Sequence, residues 1–160
     1  MWLKYPVLIV MFILGAIVQS SLWPYFAIAG VVPNLIFVLF FLIIFFEKKQ
    51  EYILGFFMAL LAGVLLDITM SLNFGVSIVS LLVIYIVYKM VSRFLKEAQG
   101  KNLVFYFAMV FSVAFLGYQA VAGASTIPGL AYSLVVAIAI FYLYKNFGAK
   151  KSDDNQLKLL

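Results

Sequence analysis

The chain contains no cysteine and no histidine. That removes thiolate nucleophiles, imidazole bases, disulfides and the usual zinc ligands at once. Charge is also scarce, at 11% of residues. A soluble domain carries roughly a quarter. What fills the space is apolar: 67% of the 160 residues are hydrophobic. One core cannot absorb that much apolar surface, so the solvent implied is lipid.

The scarce positive charge is not scattered. Lys4 opens the chain, and Lys48 and Lys49 follow the second apolar run. Lys89, Arg93, Lys96 and Lys101 follow the fourth; Lys145, Lys150, Lys151 and Lys158 follow the last. The connections at 24–32, 68–74 and 123–127 hold no Lys or Arg. Cytoplasmic loops retain positive residues, so the pattern predicts an all-α membrane protein with six spans and both termini in the cytoplasm. The net charge of +5 is absorbed by topology and contact with lipid headgroups, which leaves no basic surface for nucleic acid.

The spans read as 5–23, 26–46, 52–68, 74–93, 102–123 and 127–146. Each is long enough to cross ~30 Å at ~1.5 Å per residue. Together they make one transmembrane domain over 1–147, followed by a polar tail over 148–160 expected to be mobile and cytoplasmic. The first span resembles a signal peptide in its outline, but its apolar stretch is long, and a retained helix is the preferred reading. Span two is irregular, because Pro24, Gly30 and Pro33 crowd its first half. Proline at 33 cannot continue a helix from residue 29, so a helix is expected to begin near Pro33 after a short helical or looped piece. Irregular backbone survives at membrane depth only where protein covers it. Trp2, Trp23, Tyr25, Tyr52, Tyr88, Tyr142 and Tyr144 read as an interfacial aromatic belt, and most of the seventeen Phe residues as lipid-facing. Thr126 is a candidate N-cap for span six, with Pro128 in its first turn.

Five of the six acidic residues, Glu47, Glu51, Glu97, Asp153 and Asp154, fall beside Lys or Arg in segments read as cytoplasmic. Asp67 does not. It closes span three about 24 Å from the cytoplasmic plane, where a carboxylate is costly and marks a site. Asn34 lies at a similar depth on span two, roughly 20 Å from that plane, at the helix start left by Pro33. Asp67 is thus expected to accept from the Asn34 side chain or from the free amides of that start. Two readings of it stay open: a helix stop at a watery interface, and a lock between spans two and three. Proton or ion translocation lacks a chain of ionisable groups leading away.

Gly55, Ala59 and Gly63 are spaced by four on span three and lead to Asp67. Ala114, Gly117, Ala120 and Ala124 form a comparable row on span five. Such rows allow helices to approach closely, either within the protein or against a partner. Gln19, Asn73, Gln119, Ser125 and Thr126 share the non-cytoplasmic side with Asn34 and Asp67. They either line an outward-facing pocket or are simply interfacial.

Val32-Pro33-Asn34-Leu35, a short basic turn, Gly55-Phe56, then Ala62-Gly63-Val64-Leu65-Leu66-Asp67 with Gly75 shortly after resemble the MreD family of rod-shape-determining proteins. Where that family often has Asp after the proline, this chain has Asn34. The resemblance carries over Pro33, Asn34, Leu35, Gly63, Asp67 and Gly75, none with a catalytic role. It implies a fold similar to the S-components of energy-coupling vitamin transporters. It also implies a multi-pass subunit of the bacterial inner membrane, acting in lateral wall synthesis. The implied partners are an MreC-like bitopic protein, MreB, RodA and a penicillin-binding transpeptidase. The alternative is a substrate-binding S-component for a vitamin or metal. An intramembrane enzyme lacks any nucleophile–base pair. No cofactor or resident metal is expected.

Overall fold

The computed structural model describes residues 4–21, 23–27, 31–47, 52–69, 74–94, 103–122 and 127–156. Its elements are helical: α1 (Lys4–Ser21), a 3-10 turn (Trp23–Phe26), α2 (Leu35–Phe46), α3 (Tyr52–Thr69), α4 (Val76–Phe94), α5 (Leu103–Ala122) and α6 (Ile127–Gln156). Five of the six helices begin and five end within two residues of the spans expected from charge and hydropathy. Lys, Arg, Glu and Pro punctuate the apolar runs clearly, which is why those ends are legible.

The exceptions are α2 and α6. The expected span 26–46 shortens to a 12-residue helix that starts at Leu35. Pro33 forces that late start, and Asn34 caps it. α6 continues as helix beyond 146, the expected end of span six, through Gln156. No proline follows Pro128, and Gly148 costs a helix only about 1 kcal/mol. Asn73, Ser125, Thr126 and residues 157–160 lie outside the described residues.

α2 is the centre of the bundle. Its sequence, Leu-Ile-Phe-Val-Leu-Phe-Phe-Leu-Ile-Ile-Phe-Phe, is apolar on every side, and such a helix belongs in a core. Its many β-branched and aromatic residues are mediocre helix formers, so packing rather than propensity holds it. It touches α1, α3, α5 and α6. Around it α1, α3, α4, α5 and α6 follow one another, each against the next. α2 and α5 run antiparallel, as the pairing of Phe37 with Phe115 and of Phe45 with Phe107 shows.

The core between α2 and α5 is an aromatic ladder. Phe37, Phe41 and Phe45 rise along α2 at four-residue spacing, and Phe107, Phe111 and Phe115 do the same along α5. Ring centroids meet at 5.0 Å for Phe37–Phe115, 5.3 Å for Phe41–Phe111 and 5.0 Å for Phe45–Phe107. All three are edge-on contacts, each worth about 0.5–1.5 kcal/mol beyond area burial. The expectation that Phe is mostly lipid-facing fails here. Phe12, Phe37, Phe40, Phe41, Phe107, Phe111, Phe115 and Phe141 are core, and Phe56, Phe57, Phe74 and Phe105 are exposed.

α6 tapers where it meets α2. Gly129, Ser133, Ala137 and Phe141, four residues apart, are its buried row. Among the described residues one helix, α5, is long and apolar enough to cross a membrane; the apolar stretches of the other helices are shorter, at 10–17 residues.

Candidate functional site

A helix leaves its first four backbone N–H groups without partners, and an apolar bundle offers little to satisfy them. Here each of three helices is capped by a side chain near the end of the helix before it. Gln19, two residues before the end of α1, accepts the Ile36 N–H at 3.1 Å and so caps α2. Glu47, directly after α2, accepts the Gly55 N–H at 2.6 Å and caps α3. Asp67, in the last turn of α3, accepts from Gly75 N–H at 2.6 Å and Ser77 N–H at 2.9 Å, and caps α4. The carboxylates also complement the positive end of each helix dipole.

Asp67 is 4% exposed. Its partner Gly75 has φ +101°, a region that L side chains rarely adopt, and opens α4 through a 3.0 Å bond from Val79 N–H to its carbonyl. Ser77 is fully buried, and its hydroxyl meets the Tyr118 hydroxyl at 3.2 Å, joining α4 to α5. Gly63 completes this end. A Cβ there would lie 2.5 Å from Ile78 Cα and 2.8 Å from Ile78 N, so glycine is what lets α3 and α4 touch backbone to backbone.

Asn34 does not meet Asp67. Its Oδ1 accepts the Phe37 N–H at 3.0 Å within α2, and its own backbone N–H donates to Ser133 Oγ of α6 at 3.1 Å. Buried Pro33 precedes it and accepts from Leu35 N–H at 3.1 Å; Leu35 begins the helix, itself buried. The expected lock between spans two and three is therefore differently wired. Asp67 joins α3 to α4, because a carboxylate at the end of α3 reaches the adjacent amides of the next helix first. Asn34 joins α2 to α6.

At the opposite end of the hairpin stands a feature that sequence reasoning missed. Glu47 is not a solvated cytoplasmic charge: its side chain is completely buried, in an ion pair with Lys89 of α4. The Lys89 ammonium also lies 5.6 Å from the centre of the Tyr85 ring. Gly55 makes room, since a Cβ there would sit 2.7 Å from Glu47 Oε1 and 2.9 Å from Oε2, and would strike the Tyr85 ring. A signal existed. Glu47 precedes Gly55 by eight residues, as Asp67 precedes Gly75.

The two small-residue rows separate clearly. Gly55, Ala59 and Gly63 are all buried inside the bundle. On α5, Gly117 and Ala120 are exposed, and a Cβ at Gly117 would meet nothing within 4 Å. Of the polar residues at the Asp67 end, Gln19, Asn34, Asp67 and Ser77 are engaged in these bonds. Gln119 Oε1 is buried with no hydrogen-bond partner among the described residues. Those residues hold no group of three or more carboxylates that could bind a metal. The chemistry on offer is capping and packing. No protein-family model, no curated protein and no solved structure matches this chain.

Proposed function

We propose that the chain is a non-enzymatic, multi-pass subunit of the bacterial inner membrane, acting in lateral wall synthesis in the manner of MreD proteins. In this reading both termini are cytoplasmic, and Glu47 lies at the cytoplasmic end of the bundle. Large apolar side chains on α1, α3, α4, α5 and α6 face outward all round the molecule, which suits lipid as solvent.

The observation that carries the functional reading is the contact between Asp67 and Gly75. These are two residues of the family resemblance, and they bond directly at 2.6 Å. Gly63, a third, supplies the close approach beside them. The resemblance thus falls on residues that act as one structural unit, as a scaffold's signature would. The alternative, an S-component, is less well supported. Such a protein needs free polar groups for its ligand, and here Gln19, Asn34, Asp67 and Ser77 are spent on helix ends.

Affinity capture of the tagged protein from native membranes tests the proposal. Recovery of an MreC-like bitopic protein is the expected result. Recovery of an ATPase with a transmembrane coupling subunit, or co-purification of a vitamin, would overturn it in favour of the transporter reading.

A further inference from the structure

The ring of helices around α2 is open at one place. α1 and α6 both pack on α2, but among the described residues they hardly touch each other. Burial along α2 traces the same opening. Eight of its twelve residues are buried, and three of the other four, Leu39, Ile43 and Phe46, form a stripe at helical spacing. α1 walls this stripe at one end, where a Cβ on Gly15 would lie 2.9 Å from Leu39 Cδ1. α6 walls it at the other, where the Phe46 and Phe141 rings meet at 5.2 Å. The seam is narrow. Leu14 on α1 and Leu143 on α6 stand exposed, whereas every residue of α2 is at least partly covered. A helix is about 10 Å across with its side chains and needs a wider gap. A single acyl chain does not, and a slot left unfilled forfeits the dispersion contacts of its lining.

Charge marks one mouth of the seam. α1 runs antiparallel to α2, since Gln19 meets Ile36 and Gly15 meets Leu39. α6 runs parallel to α2, since Ser133 meets Asn34 and Phe141 meets Phe46. Lys4, the first residue of α1, is eleven residues before Gly15, and Lys145 is four after Phe141. Both therefore stand at one level, about 16 Å beyond Leu39 at ~1.5 Å per residue. Lys145 is exposed. Glu47, directly after α2, is turned inward onto Lys89 of α4 and does not offset them. We propose that the seam between α1 and α6 binds one anionic phospholipid, with an acyl chain on Leu39, Ile43 and Phe46 and the headgroup phosphate at the level of Lys4 and Lys145. This is a defined site for a single lipid, beyond the general attraction of basic helix ends to headgroups. The inference rests on the reading of the chain as a multi-pass membrane protein, which puts this mouth among the cytoplasmic headgroups.

The test titrates the full chain, purified in detergent, with phosphatidylglycerol or with phosphatidylcholine of the same acyl chains. Native mass spectrometry counts the lipids retained. The expected result is one tightly held phosphatidylglycerol, bound about tenfold better than phosphatidylcholine, since each lysine near a phosphate is worth about a factor of five. Lys4→Gln with Lys145→Gln on one chain should bring the two lipids level. Lys150→Gln with Lys151→Gln, more than a turn further along α6, should leave the preference intact. Ile43→Trp, which fills the seam, should weaken both lipids at least fivefold. Equal binding of the two lipids by the unaltered chain would overturn the proposal. So would an equal loss in both lysine pairs, which would make the attraction diffuse surface charge, or unchanged binding in Ile43→Trp, which would put the lipid elsewhere. The lysine variants carry the test alone should Ile43→Trp fail to fold. Each of these outcomes leaves the membrane reading standing; failure of the chain to float with vesicles of either lipid would overturn both.

Discussion

Glu47 and Asp67 cap successive helices at opposite ends of the α3–α4 hairpin, each reaching a glycine N–H eight residues on at 2.6 Å. Their surroundings differ. Glu47 has a cation, Lys89, and one backbone amide. Asp67 has two backbone amides, and no cation is paired with it among the described residues. A buried carboxylate must be neutralised or richly hydrogen-bonded, and the two ends show one solution each. The difference teaches how each end would fail. The Glu47 end depends on a pair of opposite charges, so removing either partner strands the other. The Asp67 end depends on aligned dipoles, so its loss spreads over several neutral groups.

The sharpest way to break the comparison is Lys89→Met. It leaves the Glu47 carboxylate buried without its counter-charge, and truncating one partner of such a pair costs about 3–5 kcal/mol. Adding Glu47→Gln to the same chain removes the stranded charge and should recover most of the loss. The pair of variants is read by denaturant titration of the purified protein in mixed micelles. A single-mutant cost below about 1 kcal/mol, or a double mutant no better than the single, would show that the ion pair is not what holds this end.

Gly55→Ala attacks the same end through space rather than charge. The added methyl meets both Glu47 oxygens and the Tyr85 ring, so the carboxylate must leave the Gly55 amide. A cost of about 3 kcal/mol, the upper end for overpacking, is expected by the same titration. Asp67→Asn should cost less, about 2 kcal/mol, because one side-chain oxygen survives to accept while the new NH2 group opposes an amide donor. If Asp67→Asn proved as damaging as Lys89→Met, the Asp67 end would have to hold a hidden cation. If thermal stability and partner capture were both unchanged, Asp67 would not be a lock at all.

Much of this arrangement is legible in the sequence, and the parts that are not share a physical cause. Helix ends were readable because charged residues and prolines interrupt the apolar runs. Asp67 stood out because it is alone in such a run. Glu47 was hidden because Lys48 and Lys49 are its neighbours in sequence, while its real partner is forty-two residues away. The aromatic ladder was present as four-residue spacing at Phe37, Phe41 and Phe45, and again at Phe107, Phe111 and Phe115. In a chain this rich in apolar residues, composition does not separate core from lipid-facing positions; only the match of two rows does. The Asp67–Asn34 pairing was expected from depth alone. Depth says which groups share a level, not which helices are neighbours at that level.

Gly75→Ala is the mildest change and the one that most sharpens the contrast between the two glycines. Both sit eight residues after a carboxylate, and both donate to it. Gly55 is glycine for lack of room, whereas Gly75 has nothing within 4 Å of a Cβ and is glycine because of its φ of +101°. Alanine at 75 therefore meets no clash and suffers only backbone strain, about 1–2 kcal/mol. Asparagine tolerates positive φ better than alanine, so Gly75→Asn should cost less than Gly75→Ala. At position 55 that order should reverse, since Asn is the larger side chain and the constraint there is volume. Measuring all four variants by the same titration turns one motif spacing into two separable mechanisms. An identical rank order at both positions would mean that the two ends are built alike after all.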